Sequence, residues 1–279
     1  MIKPGYIIFT DLDGTLLDVD KYSAAGAEEA LKKIKESDIP LIFVTSKTAM
    51  EIIGYRDKLD NRHPFICENG GGIYIPKDYF DGKPDPDKFE IIGLGVDYAS
   101  LRRELKQAAS ELGIDVVGMA DMTDDEIIKY TNISHGDVPL ARQRGFDEPF
   151  VIKSSDDPRG DVERLEFYFK EKGLNVMRGN RFYHLNGNCD KGAAIKELIE
   201  RYNEAFGPGW ISIGLGDSPN DIPMFEAVDI PAAVMKPPAP GNHDSEIRDF
   251  PGLNLARGIG PEGWNDIVLQ LLEKEIASG

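Results

Sequence analysis

"YIIFTDLDGTLLD" (residues 6–18) runs a row of strand-forming residues into two acids one position apart, followed by a glycine. Apolar β-branched and aromatic residues of this kind mark a buried strand. A strand that ends in Asp11 and Asp13 brings two carboxylates together. At about 4 Å and an effective dielectric of about 20, two like unit charges repel by about 4 kcal/mol, so the arrangement needs other groups at the same place. A plain alternative is a turn capped by the aspartates, with Gly14 supplying a permissive backbone angle. A calcium loop of the D-x-D-x-D-G type is excluded, because its sixth position is Leu16 instead of glycine and its twelfth is Tyr22 instead of glutamate.

Outward from this stretch, apolar runs alternate with helical patterns: YIIFT, AGAEEALKKIKES, IPLIFVTS, TAMEIIGYRDKL, PFICE. Alternation of this kind predicts α/β architecture, a doubly wound parallel sheet with crossover helices. The pattern returns late in the chain as KGAAIKELIERYNEA, WISIGLGD, NDIPMFEAV, IPAAVM and a closing helix around GWNDIVLQLLEKEI. Between the two halves, "FDGKPDPDK" reads as a linker. The segment after it changes character, with helices around YASLRRELKQAASEL and DPRGDVERLEFYFKEK, short strands PFVIKS and RFYHLN, and a hairpin around Arg178, Gly179 and Asn180. The expected division is a core of residues 1–82 and 188–279 with an inserted α+β domain at 83–187.

The 279 residues carry a net charge of −17, which argues against nucleic acid as a partner, because phosphate backbones are bound by clustered Lys and Arg. A small phosphorylated ligand stays open. No apolar run reaches the ~18 residues of a membrane span, and the N-terminus enters a strand without a basic leader. Cys67 and Cys189 lack CxxC spacing, so neither zinc nor a disulfide framework is indicated. A soluble, cytoplasmic protein with two reduced thiols is expected.

In an open α/β sheet, ligands bind at the carboxyl ends of the strands. Polar residues end four of them: Thr10 and Asp11; Thr45, Ser46 and Lys47; Glu68, Asn69 and Gly70; Gly216 and Asp217. Lys191 joins them from a helix start, where a cation meets the positive end of the dipole and calls for an anion nearby. GLGDSPND also reads as a helix start capped by Asp217 or Ser218. Asp11, Asp13, Asp217 and Asp221 cannot share one pocket ionised without a cation, and an all-oxygen set without His or Cys points to a hard ion, Mg²⁺.

These residues resemble the four motifs of the haloacid dehalogenase phosphatase superfamily: DLDGT at 11–15, Thr45 after a strand, Lys191 at a helix start and GDSPND at 216–221. The insertion between Thr45 and Lys191 looks like the C2 cap placement. The resemblance implies that Asp11 is the nucleophile and forms an aspartyl-phosphate. Asp13 is implied as acid and then base. Asp11, the Asp13 carbonyl and Asp217 are implied as Mg²⁺ ligands, with Asp221 in support, and Thr45 and Lys191 as phosphoryl binders.

Further segments look like the mannosyl-3-phosphoglycerate phosphatases: TSKT at 45–48, ENGGGIY at 68–74, LARQRGFDEPF, RFYHLNG with DKG, and GPEGWN. Ser46 and Lys47 stand where a general sugar phosphatase of the superfamily would carry Gly-Arg. That family's substrate is a small phosphorylated sugar-glycerate, and its product mannosylglycerate is a compatible solute. Ser46, Lys47, Glu68, Asn69, Gly70 and Gly71 are then candidates for substrate contact. In the cap, Arg144, Arg181 and His184 are candidates for the carboxylate or the sugar hydroxyls, and Glu148 for hydroxyl hydrogens; ordinary surface roles compete for each. Arg142 and Arg144 share one stretch, and either fits. Glucosyl-3-phosphoglycerate and sucrose-phosphate phosphatases, a phosphomannomutase-like phosphotransferase and a non-catalytic phospho-sugar binder are the alternatives.

Overall fold

The structure, a computed structural model, describes residues 5–179, 181–236 and 247–276. The chain begins with β1 (Tyr6–Thr10), α1 (Glu28–Glu36), β2 (Leu41–Val44), α2 (Ala49–Lys58), β3 (Phe65–Cys67), β4 (Gly72–Lys77) and β5 (Asp85–Gly93). It continues through α3 (Tyr98–Leu112), β6 (Val116–Gly118), α4 (Asp124–Thr131), α5 (Val138–Ala141), β7 (Asp147–Ile152), α6 (Pro158–Lys170), β8 (Leu174–Arg178) and β9 (Tyr183–Gly187). It closes with α7 (Lys191–Phe206), β10 (Ile211–Gly216), α8 (Ile222–Ala227), β11 (Ile230–Met235), β12 (Asn254–Ile259) and α9 (Gly260–Ile276).

The large sheet runs β12-β11-β10-β1-β2-β3-β4-β5. Pairing is parallel from β12 to β3, and β4 and β5 add antiparallel. The reversal follows from connection length, since the few residues between Cys67 and Gly72 are too short for a crossover. Successive residues of β1 face opposite layers. Ile8 packs with Ile34, Trp264 and Leu271 on one side, while Ile7 and Phe9 pack with Ile195, Leu198 and Phe225 on the other. The doubly wound core expected from the apolar runs is the architecture found.

The boundary expected at residue 83 falls too early. β5 pairs along β4 from Gly72↔Gly93 to Lys77↔Asp85, so the large sheet takes in the last part of the presumed linker, from Asp85 to Lys88. As the outermost strand β5 tolerates Pro86 and a row of charges that an inner strand would reject. The second sheet, β6-β7-β9-β8, is wholly antiparallel and forms the cap. Leu101, Leu105, Leu165 and Phe169 of α3 and α6 cover one face; Met119, Ile127, Val138 and Phe182 cover the other. β8 and β9 pair as the expected hairpin, with Arg178 opposite Tyr183; Asn180 in its turn lies outside the described residues.

A polar chain runs through the second core layer: His63 Nδ1 lies 2.7 Å from the Tyr79 hydroxyl, itself 2.7 Å from the Tyr202 hydroxyl. Burial pushes the His63 imidazole down to about 4. Its folded value lies below its unfolded one, so above about pH 6.5 the group leaves stability unchanged. As the pH falls from there toward about 4, the unfolded imidazole takes up a proton that the folded one refuses, and stability declines. Urea midpoints measured across this window should fall more steeply for the natural protein than for His63→Gln.

Candidate active site

β1 and β10 are parallel neighbours, with Thr10 opposite Leu215. Their next residues bring the two acidic motifs together: the Asp11 amide donates to the Leu215 carbonyl at 2.8 Å, and Asp217 follows Gly216. Lys191, the first residue of α7, is fully buried beneath them. Its ammonium lies 3.1 Å from Asp11 Oδ1 and 2.6 Å from Asp221 Oδ1. Asp221 Oδ2 accepts the amides of Asp217 and Ser218 at 2.9 and 3.0 Å. Asp217 Oδ1 accepts the Thr15 hydroxyl at 3.0 Å, and Asp217 Oδ2 lies 3.1 Å from Lys236 Nζ. Two glycines permit the approach. Gly14, at φ +82°, has no room for a Cβ, which would stand 2.8 Å from Asp217 Oδ2; at Gly216 one would stand 2.4 Å from Asp221 Cγ.

Carboxylate oxygens of Asp11, Asp217 and Asp221 lie within 4.8 Å of one another, all buried. The donors are all oxygen, as a hard divalent cation requires. Burial pushes the Asp11 carboxyl up to about 8, with Lys191 opposing and Asp221, Asp217 and Asp13 adding to the rise. Burial raises Asp217 likewise, against Lys236. The burial of Lys191 works against its charge, yet Asp11 and Asp221 outweigh it and hold the ammonium above its ordinary range. A divalent ion beside Asp11 and Asp217 would favour their ionised forms. The donor set fits such an ion. Asp221 differs in what its oxygens hold: Oδ1 braces Lys191, and Oδ2 gathers the amides of the loop that carries Asp217.

Above this cluster opens a crevice of about 190 Å³ between core and cap. Asp11, Asp13, Ser46 and Lys47 line its core side, and Arg144, Arg181 and His184 its cap side. Asp13 Oδ2 lies 2.9 Å from Lys47 Nζ, which also sits 4.7 Å from the centre of the Tyr22 ring. Thr45 is buried at the end of β2, its hydroxyl accepting the Lys47 amide at 3.4 Å.

Similarity to known proteins agrees with this geometry. The model of a family described as haloacid dehalogenase-like hydrolase matches residues 8–111 and 149–237. The chain belongs to the haloacid dehalogenase-like hydrolases. It is 40% identical over 273 residues, 96% of this chain and 98% of the relative, to a glucosyl-3-phosphoglycerate/mannosyl-3-phosphoglycerate phosphatase of Methanococcoides burtonii. It is 36% identical over 226 residues to a mannosyl-3-phosphoglycerate phosphatase of Pyrococcus furiosus, covering 80% of this chain and 88% of the relative. A crystal structure of a phosphatase of this superfamily from Bacteroides thetaiotaomicron superposes with a TM-score of 0.66 over 97% of this chain and 95% of its own, at 17% identity, a likeness of fold. This hydrolase is a phosphoric monoester hydrolase of the sugar-phosphate class.

Several residues expected at the substrate stand elsewhere in this hydrolase. Glu68 is turned away from the crevice, its carboxylate accepting the backbone amides of Gly145, Phe146 and Asp147 at 2.9, 2.9 and 3.0 Å. Asn69 Oδ1 accepts from Asn220 Nδ2 at 3.3 Å. A Cβ at Gly70 would stand 2.1 Å from the Asp190 carbonyl oxygen, and one at Gly71 2.3 Å from Phe146 Cβ. The ENGG loop therefore fastens the core to the cap and to the start of α7. Glu148 is also displaced: Asp147 and Pro149 of β7 face the crevice side, so strand alternation turns Glu148 toward the helices. There it lines a separate cavity with Arg102 and Lys106, beside Gly118. Arg144 is the crevice arginine, and Arg142 binds the Met119 and Met122 carbonyls and Asp124. Sequence reasoning missed Tyr22, Asp147 and Lys236. Lys236 directly follows β11 and was within reach of the same strand-end rule; Tyr22, whose hydroxyl donates to the Thr131 carbonyl at 2.6 Å, had no local signal.

Glu68→Gln removes the charge that gathers three amides. It should lower unfolding free energy by about 1.5–3 kcal/mol. Hydrogen exchange at Gly145, Phe146 and Asp147 should accelerate before the amides of β1 respond.

Proposed function

We propose that this hydrolase converts mannosyl-3-phosphoglycerate to mannosylglycerate and phosphate in the cytoplasm, with Mg²⁺ as cofactor, and accepts the glucosyl ester as well. The observation that carries the reading is the division of the crevice: a nucleophile and a buried ammonium at one end, cationic side chains at the other. A phosphate ester bearing a carboxylate and a neutral sugar matches both ends. The relatives' names support the same choice, and the double name of the Methanococcoides protein favours the second substrate.

In the proposed reaction an Asp11 oxygen bonds to phosphorus as the bond from phosphorus to the glycerate oxygen breaks, leaving an aspartyl-phosphate. Asp13, at the crevice beside Lys47, gives its proton to the departing oxygen. The resulting Asp13 carboxylate then takes a proton from a water molecule, whose oxygen bonds to phosphorus and frees Asp11. Lys191 and Thr45 hold the phosphoryl oxygens. Asp11, the Asp13 carbonyl and Asp217 would hold Mg²⁺, which when bound would supply positive charge where an anion must approach a dianion. Ser46, Lys47, Arg144, Arg181 and His184 face the remainder of the substrate.

Phosphate release from sugar phosphoglycerates, with hexose phosphates as controls, tests the reading. Asp11→Asn should release none, and Asp13→Asn should slow turnover by about 10²–10⁴-fold. Turnover without phosphate loss, as in a phosphomutase, would overturn the hydrolytic assignment. Chelation should abolish activity. Mg²⁺ should raise the melting temperature of the natural protein and leave that of Asp217→Asn unchanged; an equal rise in both would remove Asp217 from the metal site.

A further inference from the structure

The cap wall of the crevice contains a buried guanidinium whose charge is paired with Asp147 and Glu68 but whose donors are not all used. The Arg144 side chain is only 4% exposed. Its Nε donates to the Asp147 carbonyl at 2.7 Å, and its Nη2 donates to the Ser46 carbonyl at 2.9 Å and to Asp147 Oδ2 at 2.6 Å. Nη1 donates to no group among the described residues. His184 is arranged in the same way: Nδ1 lies 2.7 Å from the same Asp147 oxygen, and Nε2 has no protein partner among the described residues. Gly179 makes room for that edge, since a Cβ there would stand 2.7 Å from Nε2. Asp147 is fully buried and does not line the crevice.

We infer that Asp147 is a positioning residue: it clamps Arg144 as the donor to the substrate's carboxylate and turns His184 to accept from a hydroxyl beside it. The inference deepens the proposed function and rests on its placing the phosphoryl group at the Asp11 end. A guanidinium held through Nε and Nη2 offers the two N–H groups of Nη1 in a fixed plane, each able to donate a charge-assisted hydrogen bond to a carboxylate oxygen. By accepting from Nδ1, Asp147 orients the ring and leaves Nε2 as an acceptor for a hydroxyl of the ligand. Preorganisation of this kind lets the site reject an analogue that lacks the bonded group, because the buried donors are then left unpaired.

The test compares 3-phosphoglycerate with glycerol 3-phosphate, two esters that differ in the carboxylate and lack the sugar, using the full chain with Mg²⁺. The natural protein should favour 3-phosphoglycerate in kcat/KM by about 30-fold. Asp147→Asn should reduce that ratio to a few-fold, with the change falling on KM for 3-phosphoglycerate instead of kcat. Nitrogen NMR of His184 should show the Nδ1-protonated ring of the natural protein giving way to mixed tautomers. A folded Asp147→Asn protein that keeps the ratio, or a natural protein with none, overturns the inference. If Asp147→Asn does not fold, Arg144→Lys carries the same comparison, and an unchanged ratio overturns it. A protein that keeps the carboxylate preference yet releases no phosphate from sugar phosphoglycerates counts against the proposed substrate and leaves this receptor standing.

Discussion

Lys191 is a fully buried ammonium with a carboxylate on either side, and the rest of the molecule is arranged to keep it there. A lone buried charge of either sign costs several kcal/mol, and removing one member of a buried pair is more damaging than never having built it. Here the pairing extends beyond two groups. Asp11 and Asp221 share Lys191, Asp13 faces Lys47, and Asp217 faces Lys236. Glu51 also lies 3.7 Å from Lys47, so among the described residues five carboxylates meet three ammonium groups, and carboxylates outnumber cations. A divalent cation would offset that excess and leave the site able to receive a phosphate dianion.

The fold meets this requirement from several directions at once. Asp11 and Asp217 come from adjacent parallel strands, so their backbones are fixed by ladder hydrogen bonds before the side chains interact. Lys191 arrives at the first turn of α7, where Asp190 caps the helix by accepting the Ala193 amide at 2.8 Å. The helix dipole disfavours an ammonium there, and two carboxylates outweigh it. Glu68 and Asn69 hold positive φ values of 49° and 56°, a conformation that non-glycine residues adopt only when the surroundings impose it. The three cap amides gathered by Glu68 are those surroundings. The strained loop is therefore the mechanical link between the catalytic core and the cap.

How far the sequence could be read depended on how local each signal was. The acids of DLDGT and GDSPND were legible because strand ends in a parallel sheet converge wherever the strands run, so one rule located residues some two hundred positions apart. β5 was not legible: its Pro86 and its charges are what an exposed edge strand tolerates, and the same residues in sequence describe a linker. Glu148 failed for a different reason. In GFDEPF, Asp147 and Glu148 are chemically interchangeable, and only strand parity decides which lies on the Arg144 and His184 side of the strand; a shift of one residue reverses every assignment. Glu68 failed because its partners are backbone amides, which have no sequence signature at all.

The same parity gives the cap a part in discrimination under the proposed function. There Asp11, Asp13, Thr45 and Lys191 would act on a phosphoryl group that every phosphate monoester presents alike, so these four would not distinguish one leaving group from another. The cap would act at the other end of the ester, through side chains that alternate out of β7 and β9: Asp147 and Pro149 from one strand, His184 from the other, directly opposite Pro149. Backbone pairing sets the spacing between the strands, and Asp147 sets the orientation of the groups they carry. Arg144 then ties this wall to the core through the Ser46 carbonyl, one residue beyond Thr45. In the proposed reaction this bond and the Glu68 bonds hold the cap wall in register with Asp11, so a cap displaced by even one side-chain length would lose both selectivity and register with the nucleophile.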